Sequence, residues 1–393
     1  IGYWIGRKVA QGLYRVRLGF VDSEALKTVP DDATVVFVMN HRSNMDYILA
    51  GYLAADQAAL SYAVGEWARI WPLAGLIRSM GAYFVRRNSQ NPVYRRVLER
   101  YVHMATEAGV AQAMYPEGGL SRDGRLRPPK FGLLSYLTRH MRRDSARDVV
   151  FVPVAVNYDR VLEDRHLLRD LEPEAGVRSA WRTTAVGLAW LLKNIGLYAL
   201  RRLYRFGYAC VNFGPPISLA DYLCARGIDL DALDEAARFA ETERLALTLM
   251  DEIAQVVPVT PVSLVCTALL SFDGEPVTRA ALGARVTALI EELSSVGARL
   301  YVPRRDAEYF IDVGLRMLML RRLIVEERAS GAGEERASGV GEERAESGGP
   351  HDSHLRVVPA ERRLLVYYAN SIEHFFDRRM TTPRGGSVPR PPA

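Results

Sequence analysis

Residues 34–55, TVVFVMNHRSNMDYILAGYLAA, hold the change of pattern on which the fold turns. TVVFVMN (34–40) is an unbroken run of mostly β-branched and apolar side chains, as expected of a strand buried on both faces. It stops at Asn40 and His41, and a helical pattern begins at once over 45–55. Working outward, the same alternation recurs. Strand-like runs lie at 60–64, 82–86, 111–115, 148–158 and 208–213, with helical patterns at 67–79, 92–108 and 131–142. Strands alternating with helices predict an α/β layered domain over residues 20–220, preceded by an amphipathic helix at 1–19. Pro153 falls inside the 148–158 run, which predicts a sheet edge, a bulge or a bend at that point.

Beyond residue 220 apolar residues repeat at helical spacing, so 221–325 reads as a helical region. Residues 326–355 centre on EERASGAGEERASGVGEERAESGG, a degenerate repeat without large apolar residues. It cannot bury enough surface to order itself and reads as a flexible insert. A last helix is expected within 356–379, and a disordered tail over 380–393.

Apolar residues make up 49% of the 393, enough for a sizeable core. The formal net charge is +5 and lysines number four, so nearly all the cations are arginine. Arginine favours planar two-point contacts with phosphates and carboxylates. A mildly basic surface suits anionic lipid, an acidic carrier protein or nucleotide phosphates. Cys210, Cys224 and Cys266 follow no metal-ligand spacing and form no disulfide framework, as in a reducing compartment. The longest apolar stretch, AVGLAWLLKNIGLYAL (185–200), is broken by Lys193 and Asn194. It falls short of a membrane span of roughly 20 residues and resembles a helix lying at a membrane surface. Residues 1–18 and 66–80 mix Trp with Arg in the same way, and the opening residues are amphipathic and basic, unlike a secretory signal.

His41 ends a strand, where α/β sheets commonly build ligand sites, and Asp46 follows in the first helical turn. A carboxylate on one imidazole nitrogen fixes the tautomer and steadies the imidazolium, leaving the other nitrogen to take a proton from a hydroxyl. This is a base with an orienter and no protein nucleophile. Ser43 and Asp46 also fit the spacing of a helix cap, which alone would explain the carboxylate. Three further blocks accompany the pair. GAYFVRR (81–87) ends a strand with Arg86 and Arg87. YPEGGLSRDGRLRPPKFG (115–132) follows another strand, and VFVPVAVNYDR (150–160) holds Pro153.

These four blocks, in this order, resemble the glycerolipid acyltransferase superfamily, and most of all its glycerol-3-phosphate acyltransferase branch. VNFGPPISL (211–219), TPVSLVCTALL (260–270) and LLVYYANSIEHFF (364–376) are similar to that branch too. The resemblance implies an α/β fold with a mixed sheet flanked by helices and a C-terminal helical region. It implies acyl transfer from acyl-CoA or acyl carrier protein to the sn-1 hydroxyl of glycerol 3-phosphate, giving lysophosphatidate in phospholipid synthesis. It makes His41 the general base and Asp46 its orienter. Arg86 or Arg87 would meet the acceptor phosphate, one facing the site and one facing away. Glu117, Gly118, Gly119, Ser121 and Arg122 would bind the acceptor, with Lys130 a further phosphate contact. Pro153 would shape the acyl-donor channel. It implies no cofactor and no metal, and a peripheral or monotopic place on an anionic membrane surface, at the cytoplasmic face of the cell membrane.

Two positions depart from the branch: Leu120 stands where arginine is usual, and Asn44 where a second histidine is frequent. Leu120 removes a cation from the acceptor loop, so lysophosphatidate or dihydroxyacetone phosphate is the alternative acceptor. A non-catalytic module binding membrane or an acidic partner would keep the basic helices without needing His41. GLSRDG is not the Gly-x-Ser-x-Gly elbow of serine hydrolases, no phosphate-binding glycine loop is present, and HDSH (351–354) reads as a solvated loop. Nucleic acid is not an expected partner.

Overall fold

The computed structural model describes residues 2–49, 61–65, 75, 78, 81–86, 89–139, 147–171, 206–301, 307–328 and 353–377. The apolar runs become strands: β1 (Arg15–Val21), β2 (Thr34–Met39), β3 (Ser61–Gly65), β4 (Ala82–Val85), β5 (Gln112–Met114), β6 (Val149–Tyr158) and β7 (Tyr208–Phe213), with a short β8 (Ile217–Ser218). They form one sheet in the order β1-β7-β6-β2-β5-β3-β4, with β8 also on β6. β2 pairs in parallel with β5 on one side and β6 on the other, and β3 with β5 and β4. β7 runs antiparallel to β6, and β1 parallel to β7. The sheet is therefore mixed, and helices such as Pro92–Glu107 and Glu235–Gln255 flank it.

This order sets the site. After β5 the chain crosses to β6 on the far side of β2, so β2 lies where connections reverse, the usual place for a ligand crevice. The parallel strands β2, β3, β4, β5 and β6 all end on one edge of the sheet. That edge carries His41 after β2, Tyr115 after β5, Arg86 after β4 and Tyr158 at the end of β6. β6 is buried at all ten positions, which its nearly continuous apolar sequence reflects.

Pro153 corrects one expectation. It lies in an interior strand, in unbroken register with β2, where Val38 faces Pro153 and Met39 faces Val154. On its other side β6 pairs with β8 at residues 150–151 and with β7 from 154 onward, so Pro153 sits where the partner strand changes. A residue's N–H and C=O point to the same side of a strand. The Pro153 carbonyl accepts from Gly214 N (2.8 Å) on that side, so the missing N–H faces the break and not β2.

The expected helix at 1–19 is shorter, Gly2–Leu13, because RVRLGFV forms strand β1 along β7. The C-terminal region holds helices Pro261–Leu270, Arg279–Ser295 and Ala307–Leu320, and two small sheets besides. β9 (Pro258–Val259) pairs with β11 (Arg299–Leu300), while β10 (Val277–Thr278) and β12 (Ile324–Arg328) both pair with β13 (Ser353–Val357). The helical region expected over 221–325 thus has its last helix end at Leu320, with strand β12 following. The insert placed at 326–355 is narrower, since Glu326 faces Leu355, Glu327 faces His354 and Arg328 faces Ser353 across an antiparallel ladder. The HDSH histidine His354 is in that ladder. The last helix is broken: Arg362–Ala369 and His374–Asp377 are separated by turns at 370–373. The repeat core, the tail and the apolar stretch at 185–200 lie outside the described residues, as do most of 67–79 and 50–55. Cys210, Cys224 and Cys266 are free thiols. No described helix is long and apolar enough to cross a membrane.

One hydrophobic core runs through both regions, from Ala10 and Val36 to Leu364 and Phe375. Polar ties reinforce it. Arg321 and the Tyr368 hydroxyl both donate to the buried Asp164, Asn370 Nδ2 donates to Asp123 O (2.8 Å), and Arg125 pairs with Glu373. The C-terminal segment therefore closes directly on the loop that follows β5.

Candidate active site

The loop after β2 is held by three carboxylates, Asp46, Glu117 and Glu163. Asp46 Oδ2 accepts from His41 Nδ1 (2.9 Å), Arg42 N (2.7 Å) and Ser43 N (3.0 Å), while Oδ1 accepts from the Tyr158 hydroxyl. One carboxylate thus caps the loop and orients the imidazole; the two explanations of Asp46 are not alternatives. A carboxylate can only accept, so Nδ1 carries the proton and Nε2 is the basic nitrogen. Tyr47 Oη lies 3.2 Å from Nε2, so its hydroxyl donates there. The Tyr115 ring stacks on the imidazole at 4.2 Å. His41 and Asp46 are 2% and 0% exposed, so the pair works in a dry setting where charge interactions are strong.

Glu117, in the loop after β5, is buried with its oxygens on two backbone amides: Oε1 accepts from His41 N (2.9 Å) and Oε2 from Arg127 N (3.1 Å). Burial pushes its carboxyl up to about 7 despite those hydrogen bonds and the nearby Arg42 and Arg127. Ser121 is fully buried; its N donates to His41 O (3.0 Å) and its hydroxyl to Arg125 O (2.7 Å), so it closes a turn and steadies the base from behind. Gly118 adopts φ 64°, and a β-carbon there would meet the Lys130 side chain at 2.7 Å. Gly119 is buried beside it. Leu120 packs its side chain against the core while its carbonyl accepts from Arg127 Nη1 (3.2 Å). Glu163, its carboxyl raised by burial, accepts from Ser43 Oγ (2.8 Å) and Asn44 N (3.2 Å), which ties down the outer half of the loop.

The structure therefore gathers His41, Asp46, Glu117 and Ser121 into one buried cluster. Arg86, Arg122 and Lys130 are exposed, with the Arg86 guanidinium over the Tyr94 ring. Arg87 lies outside the described residues. Pro153 lies within the sheet, its carbonyl bonded to Gly214. Sequence reasoning missed Tyr47, Tyr115, Tyr158, Glu163 and Arg42. Tyr158 lies in the fourth block and Arg42 in the first, so their positions hinted at a role, but nothing in the sequence aims those side chains inward. Arg42 is 2% exposed; its Nη1 donates to Gly124 O and its guanidinium lies 5.3 Å from the Tyr367 ring centre. Among the described residues no group of acidic, histidine or cysteine side chains could hold a metal ion.

The sequence is similar to known proteins over most of its length. The family model "Acyltransferase" matches residues 20–157, and "Glycerol-3-phosphate acyltransferase C-terminal region" matches 188–382. A protein named glycerol-3-phosphate acyltransferase from Pseudomonas fluorescens is 32% identical over 74% of this chain and 33% of its own length. One of the same name from Aeromonas hydrophila is 28% identical over 95% of this chain and 42% of its own. The chain thus spans well under half the length of these curated relatives. A crystal structure of the 1-acyl-sn-glycerophosphate acyltransferase PlsC from Thermotoga maritima is 18% identical, covering 64% of this chain and 78% of that one. Its TM-score is 0.35, too low to bear on the fold or the site. The two family models follow one another along most of the sequence, in the order of the blocks that build the site, and the chain belongs to the glycerol-3-phosphate acyltransferase branch of the glycerolipid acyltransferases.

Proposed function

We propose that this chain transfers a fatty acyl group from the thioester of acyl-CoA or acyl carrier protein to the sn-1 hydroxyl of glycerol 3-phosphate. The observation that carries this reading is the buried His41–Asp46 pair at the end of β2. Nε2 takes the hydroxyl proton as the acceptor oxygen attacks the thioester carbonyl. The imidazolium, steadied by Asp46, returns that proton to the departing thiolate as the C–S bond breaks, leaving 1-acylglycerol 3-phosphate and free thiol. In this arrangement the Tyr47 hydroxyl holds the position that the acceptor hydroxyl needs, so the acceptor displaces it. Glu117 and Ser121 act on the backbone of His41 and set the base in place; the acceptor meets cations at the rim, where Arg86, Arg122 and Lys130 are exposed.

An anionic membrane surface, at the cytoplasmic face of the cell membrane, is the proposed location, because the product is a lipid. On the helix Pro92–Glu107, Val93, Val97, Tyr101 and Met104 follow one another at helical spacing and are 70%, 62%, 46% and 54% exposed. Arg95, Arg96 and Arg100 flank them, an apolar stripe with basic edges of the kind that seats at a lipid interface.

The test is His41→Ala, assayed by thiol release from acyl-CoA in the presence of glycerol 3-phosphate, alongside binding to anionic vesicles. Transfer falls by about 10²–10⁴ while vesicle binding persists. Unchanged transfer overturns the role of His41.

A further inference from the structure

Arg42 is a buried cation with unmet hydrogen-bonding capacity beside the proposed base. Its Nε and Nη2 have no hydrogen-bond partner, and both are shielded from solvent. Glu117 is a carboxylate that interacts with its charge, but that group's two oxygens serve the backbone amides of His41 and Arg127. A buried charge without a hydrogen-bonded counter-ion is costly to a folded chain. Nε and Nη2 lie on one edge of the guanidinium, the edge that makes two parallel bonds to a phosphate or carboxylate. The rest of the residue is already committed: its backbone N donates to Asp46, its Nη1 to Gly124 O, and the guanidinium plane rests by the Tyr367 ring. The group is held still, next in sequence to His41, with its two-point edge buried and without a hydrogen-bond partner. By contrast Arg86, Arg122 and Lys130 are exposed.

We infer that Arg42 takes the phosphate monoester of the acceptor, between the loops after β2 and β5 and the C-terminal helix Arg362–Ala369. The inference rests on the acyl-transfer reading and deepens it. A phosphate monoester could come from glycerol 3-phosphate or from the 3′-phosphate of CoA, and the experiment separates them. Glycerol 3-phosphate, glycerol and CoA are titrated calorimetrically into the full chain and into Arg42→Met and Arg42→Lys, with thermal unfolding measured on each.

Arg42→Met weakens glycerol 3-phosphate about tenfold or more, the size of a lost charge-assisted contact, and leaves CoA within twofold. Arg42→Lys keeps charge without the two-point edge, so its loss is smaller and again confined to glycerol 3-phosphate. In turnover both variants raise KM for the acceptor more than they lower kcat, a split that a purely structural role does not produce. If Arg42→Met fails to fold, Arg42→Lys decides. Equal weakening of glycerol 3-phosphate and CoA, loss of CoA alone, or no change in either variant overturns the proposal. If glycerol 3-phosphate binds through Arg42 and no acyl group moves, the reaction is wrong and the site stands. If acyl transfer proceeds with KM unchanged in both variants, the site is wrong and the reaction stands.

Discussion

Replacing Asp46 by asparagine separates the charge of that side chain from its shape. Asp46 takes three bonds on Oδ2 and one, from Tyr158, on Oδ1. Asparagine can place its oxygen where Oδ2 stands, keeping His41 Nδ1, Arg42 N and Ser43 N satisfied. Its NH2 then donates to the Tyr158 hydroxyl, which reverses from donor to acceptor. The fold loses about 1 kcal/mol, the scale of one altered neutral hydrogen bond. The chemistry loses more. When His41 takes the acceptor proton it becomes a cation with Nδ1 2.9 Å from Asp46 Oδ2, which puts the two charge centres roughly 4 Å apart. Two unit charges at that separation attract by about 4 kcal/mol at an effective dielectric of about 20. That attraction exists in the transition state and is absent from the resting enzyme, so its removal lowers kcat by about 10³. The assay is single-turnover thiol release from acyl-CoA at saturating glycerol 3-phosphate, with thermal unfolding measured on the same preparation. Asp46→Ala is the contrast: it strands Arg42 N, Ser43 N and the Tyr158 hydroxyl in a dry interior, at about 1–3 kcal/mol each, and damages the fold itself. An Asp46→Asn variant that turns over within threefold of the parent, with unaltered unfolding, refutes the reasoning.

Two further predictions concern the loop after β5. The Glu117 carboxyl is held up at about 7 against an ordinary value of 4.5, so between those pH values the folded chain keeps a proton that the unfolded chain has released. Stability therefore falls as pH rises from about 4.5 to 7, by up to about 3 kcal/mol from this group. Asp159, raised to about 6 by burial, adds a slope of the same sign at lower pH. Glu117→Gln removes the first slope and leaves the second, which urea unfolding at pH 5 and pH 7 reads; an unchanged pH 5 to 7 difference contradicts the assignment. Gly124 adopts φ 91° and lies against the backbone of Tyr367, where an added β-carbon collides with the Tyr367 carbonyl oxygen. Gly124→Ala costs about 2–5 kcal/mol through backbone strain and forced separation of the C-terminal helix, measured as a loss of urea midpoint; a midpoint unchanged within error would show that the helix does not press on this loop.

The strands of the sheet other than β1 and the short β8 were legible because each is written locally. A run such as TVVFVMN or VVFVPVAVNY buries both faces and can be little else, and the observed bounds of β2 and β6 lie within a residue of the runs. β1 was not legible, because RVRLGFV alternates arginine with apolar residues and continues an amphipathic helical pattern. Its strand form depends on pairing with β7, some 190 residues later, as Arg15 to Tyr208 shows. The pairing of β12 with β13 likewise lies on either side of a repeat that masks it.

By itself the sequence determined the alternation of strands and helices, the place of His41 at a strand end, and the five-residue step that lets Asp46 reach back to it. These follow from short-range periodicity and from the reach of neighbouring side chains. Only the tertiary structure decided that Tyr47 covers Nε2, that Glu117 serves backbone amides, and that Arg42 is buried while Arg86 and Arg122 stay in water. An arginine carries the same chemistry at every position in the chain. Which one loses its water depends on what packs over it, and for Arg42 that cover is Gly124 and Tyr367, contributed by segments 82 and 325 positions further along.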